Sequence, residues 1–314
     1  MRYKYTFGII GIILLMLPIF IGTTISGSKL WIRIAGFTIQ PGEFAKVFIV
    51  LFLAGYLAEN RELLSISNRK ILGFKIPRLR LLLPLFAVWG VCLLVVVFER
   101  DLGSAVLFYT IFLLMLYVAT GRFSYVVIGL ALLAVGAVGA YKFLSHVQVR
   151  FQVWVDPFKD AQGQGYQIVQ SLFSLRWRSG RCWHRQRHGQ QHPCRRVRLY
   201  LLCHRRGDGP FGRRRVLILF MLFAVRGLTT AARAKSDLAA FSATGLTAAI
   251  SFQAFLIVGG VTRLIPLTGV TLPFMSQGGS SLLASFIIVA LLLRAVTRPT
   301  GREAEPTGTG TMLP

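Results

Sequence analysis

Apolar residues occur along this chain in long runs that are separated by short polar segments. A helix needs roughly 20 apolar residues to cross a hydrocarbon core about 30 Å thick. Segments that reach or approach this length lie at 6–26, 44–59, 81–98, 103–119, 125–144, 238–262 and 279–297. A further apolar segment, 216–228, has only thirteen residues, because Arg215 directly precedes it. This length is too short to span a membrane comfortably. The pattern predicts an all-α, polytopic transmembrane helix bundle with seven or eight spans.

Basic loops predict the orientation, because they favour the cytoplasmic side of a membrane. The loop after the second span is rich in basic residues, namely Arg61, Arg69, Lys70, Lys75, Arg78 and Arg80. We therefore place this loop inside, and alternation puts both termini inside as well, provided that 216–228 crosses the membrane. The first segment also resembles a signal peptide, but its apolar run is long and further spans follow.

The composition agrees with a membrane protein except in one block. Hydrophobic residues make up 54% of the 314 residues, charged residues 15%, and the mean hydropathy is +0.61. The formal net charge is nevertheless +25. The block 176–215 holds thirteen arginines, three of the four cysteines, four of the five histidines and one acid. This segment stands where alternation predicts a large extracellular loop.

Three ordinary explanations of the block stay open. Its cysteines and histidines offer zinc ligands, but they lack the paired spacing of a structural site. Its arginines fit a nucleic-acid segment or a patch that binds anionic lipid, yet the predicted topology puts them on the outer face. We therefore expect a membrane protein that has no nucleic-acid partner and no metal held by this block.

Ionisable groups at the edge of a span are candidates for function, because they are costly in a membrane. Glu43 and Lys46 lie three residues apart at the start of a span, where they can pair, and an interfacial ion pair is the plain alternative. Glu99, Arg100 and Asp101 crowd the next junction, where a solvated hairpin turn is the plain alternative. Prolines and glycines interrupt 262–279, so its backbone must find partners in protein or line a cavity.

Five stretches together carry a family resemblance. They are GSKLWIRIAGFTIQPGEFAK, FERDLGSAVLF, SHVQVRFQVWVDPF, GYQIVQSLFSL and FQAFLIVGGVTRLIPLTGVTLPFMSQGGSSLL. In this order they resemble the SEDS family, the bacterial shape, elongation, division and sporulation proteins that include RodA, FtsW and SpoVE, and most of all its actinobacterial members. The resemblance implies a ten-helix, multi-pass protein of the bacterial plasma membrane.

The implied activity is peptidoglycan glycosyltransfer, in which lipid II, an undecaprenyl-pyrophosphate substrate, is polymerised beside a class B penicillin-binding protein. A flippase for lipid II is the transport alternative for the same family, and an inactive pseudogene product is a third. No cofactor is certain from the resemblance, although a divalent cation would stabilise the departing pyrophosphate. An elongation role like that of RodA and a division role like that of FtsW are not separated by these motifs.

The resemblance also implies roles for individual residues. Substrate or cavity contacts fall on Glu43, Lys46, Gln167, Gln170, Ser276, Gly278 and Gly279, and a structural role at the outer face falls on Asp101. The family's catalytic aspartate precedes a Phe in the large outer loop, and Arg198 stands at that position. Because arginine stays protonated at neutral pH, it is no base. We therefore expect the chain as written to be inactive.

The chain departs from the family pattern in two places. Met1 falls two spans later than the usual start, which predicts a truncated or misassigned beginning. Within 176–215, reading the arginine codons one nucleotide later yields Gly, Ala, Val, Asp or Glu, and family-like glycine-rich, Ser-Asp-Phe-Ile and Gly-Glu-Glu elements return in order. We hypothesise a frameshift over this block. The remaining organisation is one membrane domain, 1–297, followed by a disordered cytoplasmic tail, 298–314.

Overall fold

A computed structural model describes residues 3–25, 28–34, 37–65, 69–71, 74–76, 79–160, 165–166, 168–169, 171–172, 209–276 and 278–297. The helices with assigned bounds are α1 (Lys4–Ile21), α2 (Pro41–Ser65), α3 (Leu79–Phe98), α4 (Leu102–Thr120), α5 (Phe123–Phe143), α6 (Ser145–Val155), α7 (Gly209–Ala232), α8 (Asp237–Val261) and α9 (Gly279–Thr297). The predicted tail and most of the Arg-rich block lie outside the described residues.

The predicted spans coincide with helices. Within the described residues, six helices are long and apolar enough to cross a membrane: α1, α2, α4, α5, α8 and the Arg214–Ala232 part of α7. Shorter apolar stretches occupy α3 (Leu83–Phe98) and α9 (Gly279–Ala295). The all-α, polytopic fold class is thereby confirmed.

The prediction for 216–228 was wrong. This segment belongs to α7, which has 24 residues and continues past Arg226 to Ala232. The uninterrupted apolar run is shorter than the helix. An arginine near a helix end keeps its backbone hydrogen bonds and extends its charged group towards the membrane surface, so it does not end the helix. The segment therefore has the length of a full span.

Two small antiparallel sheets, one between α1 and α2 and one between α2 and α3, were not predicted from the apolar runs. The first contains β1 (Thr23–Ile25), β2 (Ser28–Ile34) and β3 (Phe37–Ile39), in that order. The second pairs β4 (Arg69–Ile71) with β5 (Phe74–Ile76), and Lys70 lies opposite Lys75. The strands have three to seven residues, so they are much shorter than the runs of about 20 apolar residues that predict a membrane span.

The centre of the bundle is formed by α2 and α8. In each of these two helices, 72% of the apolar segment that could span the membrane is buried inside the protein. In α5 and in α7 the buried share is only 6%. The packing is close: a Cβ at Gly245 of α8 would lie 2.6 Å from Val50 Cγ1 and 2.7 Å from Met115 Sδ. Small residues at such a position let helix backbones approach one another in a membrane. The outer helices α5 and α7 expose their apolar side chains to the surroundings.

Candidate functional site

A buried ion pair lies at the start of α2. Lys46 Nζ donates to Glu43 Oε2, and the two side chains are only 3% and 4% exposed. Residues three apart share one face of a helix, so the pairing predicted from spacing is confirmed. Both groups lie inside the bundle and not on its surface. A buried charge of this kind is tolerated only when it is compensated.

Gln253 of α8 completes the compensation. Its Oε1 accepts a hydrogen bond from Lys46 Nζ, and its Nε2 donates to Glu43 Oε1 at 3.2 Å and to the Thr271 carbonyl oxygen at 2.7 Å. The side chain is fully buried. One amide thus joins α2 to α8 and to the loop before α9.

The loop and α9 add hydroxyl groups to the same cluster. Thr271 Oγ1 donates to Glu43 Oε1 at 2.9 Å and lies 3.0 Å from Ser281 Oγ. Ser281 and Thr271 are both buried. Both carboxylate oxygens of Glu43 therefore accept hydrogen bonds. We call Glu43, Lys46, Gln253, Thr271 and Ser281 the buried polar network.

The irregular loop 262–278 finds its partners in protein, as its prolines and glycines predicted. Ser276 Oγ accepts from the Leu272 N–H at 2.6 Å. Val270 and Leu272 are buried, and a Cβ on Gly103 would lie 2.5 Å from Val270 Cγ2. Glycine at position 103 is what allows the loop to lie against the start of α4.

The same loop is held to α6 by a reciprocal contact. Trp154 Nε1 donates to the Arg263 carbonyl oxygen at 3.0 Å, while Arg263 Nε donates to the Trp154 carbonyl oxygen at 2.8 Å. Arg263 has φ 62°, in the left-handed region, which is uncommon for a residue other than glycine. The extra hydrogen bonds stabilise this backbone conformation.

The junction between α3 and α4 is the second cluster of ionisable groups. Asp101 is the N-cap of α4, where it accepts from Ser104 N at 3.2 Å and from Ser104 Oγ at 2.6 Å. The cap is a structural contact, and the role at the outer face that the resemblance implied for Asp101 stays a prediction. Asp101 and Glu99 are only 2% and 6% exposed, so the alternative of a solvated turn is wrong for both acids. Arg100 between them is exposed.

Burial controls the electrostatics of this junction. It raises the pKa of the Glu99 carboxyl to about 8, and the neighbouring Asp101 charge raises it further. Burial lowers the pKa of Arg150 on α6, and the Asp101 charge opposes this effect. Burial also lowers the pKa of His146, and the positive charges of Arg150 and Arg100 lower it further. Arg150 and Asp101 therefore attract each other electrostatically.

The other predicted site residues are distributed as follows. Gly279 begins α9, and a Cβ added there would meet no atom within 4 Å. A Cβ added at Gly278 would lie 3.8 Å from Ser281 Cβ, its nearest neighbour. Gln167, Gln170 and Arg198 lie outside the described residues, as does the block up to residue 208. Their implied roles, and the cavity role of Glu43 and Lys46, stay predictions.

Sequence reasoning missed the three members of the network that are not ionisable. Gln253 was detectable, because it is a polar residue in the middle of an apolar helix, within ISFQAFLIV. Thr271 and Ser281 carried no comparable signal. Across the described ranges, no group of three or more His, Cys, Asp or Glu side chains is placed to hold a metal ion.

The fold and the site define a multi-pass α-helical membrane protein with a polar network inside its bundle. A family model described as "Cell cycle protein", covering FtsW, RodA and SpoVE, matches residues 1–182 and 208–300. The chain belongs to this family, which makes it a multi-pass bacterial membrane protein. The interruption of the match, 183–207, falls inside the Arg-rich block.

Several relatives are known by function. The chain is 43% identical over 298 residues to the peptidoglycan glycosyltransferase RodA of Mycobacterium tuberculosis, a match that covers 93% of this chain and 63% of the relative. It is 41% identical to the RodA of Mycobacterium leprae, with the same shares, and 31% identical to the stage V sporulation protein E of Bacillus subtilis, where 90% of this chain and 75% of the relative are covered. The chain thus spans about 63% of the length of the mycobacterial proteins.

Solved structures share the fold. A chain of a peptidoglycan synthase complex that coordinates polymerization and crosslinking matches with a TM-score of 0.74 and 22% identity, over 95% of this chain and 82% of that one. The rod shape determining protein RodA of Thermus thermophilus matches with a TM-score of 0.59 and 21% identity, over 95% and 80%. The helical bundle predicted from the apolar runs is therefore that of known family members.

Proposed function

We propose that the intact protein is a peptidoglycan glycosyltransferase that polymerises lipid II into glycan strands. The single observation that carries this proposal is the 43% identity to a mycobacterial enzyme of that name over 93% of this chain. The polar network supports it, because it holds α2, α8, α9 and the 262–278 loop in one arrangement. A rigid frame of this kind is what an active site built on neighbouring loops requires.

The reaction needs a base. A carboxylate must take the proton from the acceptor sugar hydroxyl while the anomeric carbon of the donor loses its lipid pyrophosphate. The resemblance places this carboxylate in the outer loop, where the chain carries Arg198. A protonated guanidinium does not accept a proton at neutral pH. We therefore propose that the chain as written does not catalyse polymerisation, and that a frameshift over 176–215 accounts for the loss.

The enzymatic test compares two proteins in one assay. The first is the purified 314-residue chain, and the second carries the corresponding loop of the Mycobacterium tuberculosis relative in place of 176–215. We expect glycan polymer from labelled lipid II only with the second protein, and more of it when a class B penicillin-binding protein is added. A third protein with the inserted loop aspartate changed to Asn serves as the control and should be inactive.

Two outcomes would contradict the proposal. Polymerisation by the unaltered chain at the rate of the loop-replaced protein would show that Arg198 does not stand in place of an essential base. Transport of lipid II across vesicle membranes by the Asn control, without polymerisation by any of the proteins, would favour the flippase alternative, since a flippase needs no base.

The frameshift has a separate test in the DNA. Resequencing the codons for residues 172–217 should reveal one nucleotide more or fewer near each end of the block. Confirmation of the written frame would instead identify an inactive family member, the product of a decayed gene.

A further inference from the structure

The short helix α6 lies at the level where membrane spans end. It begins at Ser145, and a single residue separates it from the end of α5 at Phe143. Near its other end, Trp154 exchanges hydrogen bonds with Arg263, which comes two residues after α8 ends at Val261. Both α5 and α8 are long and apolar enough to cross a membrane. The eleven residues of α6 cover only about 16 Å, so this helix runs along the membrane surface between the ends of two spans.

A third interaction ties the first half of α6 to the same level. The Asp101 charge acts on Arg150, and the Arg100 charge acts on His146. Asp101 and Arg100 belong to the α3–α4 junction, where one apolar helix ends and the next begins. His146 and Arg150 lie four residues apart, so they share one face of α6, and His146 Nε2 and Arg150 Nη1 are shielded from solvent. This face of α6 is therefore turned towards the bundle.

A second face of α6 is apolar and exposed. Phe151 and Val155 are 40% and 55% exposed, and residues four apart lie on the same face of a helix. We call these two residues the apolar stripe. Phe158, which follows shortly after the helix, is 56% exposed. Helix α6 has no buried residue, so the apolar stripe is not covered by the described part of the chain.

The apolar stripe continues the exposed surface of α5. The Phe151 ring lies edge to face with the Tyr141 ring, with 5.1 Å between their centroids. Tyr141 stands in the last turn of α5 and is 41% exposed, and Phe143 at the helix end is 87% exposed. A long apolar helix of which only 6% is buried has lipid around it. The same lipid therefore reaches the stripe from the end of α5.

A third face of α6 is polar. Ser145 and Gln152 are both exposed, and their separation of seven residues is close to two helical turns, so they share one face. This face lies about 100° around the helix from Phe151. An amphipathic helix in a membrane surface has this arrangement, with its apolar face roughly 5–10 Å deep in the boundary between headgroups and acyl chains. Aromatic residues are enriched at the same level.

We propose that α6 is an interfacial anchor whose apolar stripe inserts into the phospholipid surface beside α5. Phospholipid is the occupant because the stripe is continuous with the exposed surface of a span and because both ends of α6 are fixed where spans end. Through the hydrogen bonds between Trp154 and Arg263, the anchor holds the 262–278 loop at a set depth in the membrane. That loop carries Thr271 of the buried polar network. The proposal concerns membrane contact, and it does not depend on the proposed reaction.

The test uses the full chain in phosphatidylcholine vesicles, with its four native cysteines replaced by alanine. A fluorophore that is sensitive to its surroundings is attached to one introduced cysteine at a time, in Phe151→Cys, Val155→Cys or Gln152→Cys. Its quenching is measured with lipids that carry a doxyl group just below the headgroup, and with iodide on both sides of the vesicles. We expect the doxyl lipid to quench the labels at 151 and 155 at least twofold more strongly than the label at 152. Iodide should show the reverse order.

The two labelled positions in the apolar stripe keep the test decisive if one of the variants fails to fold, and Gln152→Cys is the matched control on the same helix. Iodide quenching at 151 and 155 that equals the quenching at 152, without any effect of the doxyl lipid, would place the stripe in water and overturn the proposal. Equal quenching of all three labels by the doxyl lipid would overturn it as well, since α6 would then have no side that faces water.

Discussion

The two clusters of buried polar groups differ in how their hydrogen bonds are satisfied. In the buried polar network, both Glu43 oxygens, the Lys46 ammonium and the Gln253 amide all have partners inside the protein. At the α3–α4 junction, Asp101 is satisfied by Ser104, but Glu99 is left with an unpaired oxygen. The comparison separates two situations of a buried acid: Glu43 is held by partners from three parts of the fold, whereas Glu99 keeps one oxygen without a hydrogen bond among the described residues.

The largest loss of stability should come from removing the positive charge of Lys46 from the buried polar network. Lys46→Met leaves the Glu43 carboxylate buried without its counter-ion, and such a change typically costs about 3–5 kcal/mol. We expect a loss of this size in the free energy of unfolding, measured by denaturant titration in detergent. Lys4→Met is the control, because its partner Glu59 is 55% exposed. Equal small losses for both variants would show that the network does not stabilise the bundle.

A smaller effect should follow from a change at the contact between the junction and the loop. Gly103→Ala places a Cβ 2.5 Å from Val270 Cγ2 and 3.0 Å from Thr268 Cβ. Overpacking of this kind costs about 1–3 kcal/mol, and the displaced loop should loosen the Gln253–Thr271 hydrogen bond. Gly136→Ala on α5 is the matched control, since a Cβ there meets no atom within 4 Å. Thermal unfolding of the two variants checks the prediction, and an equal Tm would contradict it.

The cap of α4 should have a more modest influence. Ser104→Ala removes one of the two hydrogen bonds to Asp101 and keeps the backbone N–H that makes the other. A single hydrogen bond to a charged group contributes about 1.5–3 kcal/mol at most, and the remaining bond to the cap limits the loss to roughly 1 kcal/mol. Denaturant titration would measure it. A loss as large as that of Lys46→Met would show that the junction supports the fold as much as the network does.

The smallest effect is expected at an ion pair outside both clusters. Arg61 and Asp237 pair across the ends of α2 and α8, with side chains 50% and 44% exposed. Pairs of this kind contribute at most about 1 kcal/mol, because water screens them. Arg61→Gln should therefore change the free energy of unfolding by less than this amount and become neutral at high salt. A larger, salt-independent loss would show that the α2–α8 contact depends on charge as well as on packing.

The places of most long apolar helices followed from the sequence, because a membrane span is a local property of about 20 consecutive residues. The full length of α7 and the short helix α6 did not. Glu43 and Lys46 were predictable as a pair for a related reason, since i and i+3 positions of one helix are neighbours in any fold. The short β-strands were not predictable in this way. Their pairing depends on contacts between segments, and their apolar runs are brief.

By itself, the sequence determined the polytopic helical class, the family resemblance and the anomaly of the Arg-rich block, since each of these depends on the order of residues along the chain. Only the tertiary structure decided which polar groups are satisfied. Gln253 and Thr271 reach Glu43 across 210 and 228 positions of sequence, and Gln40, just before α2, lines one pocket with Glu99, just after α3. Hydrogen bonds and charges act over a few ångströms of space, so their partners are set by how the helices pack.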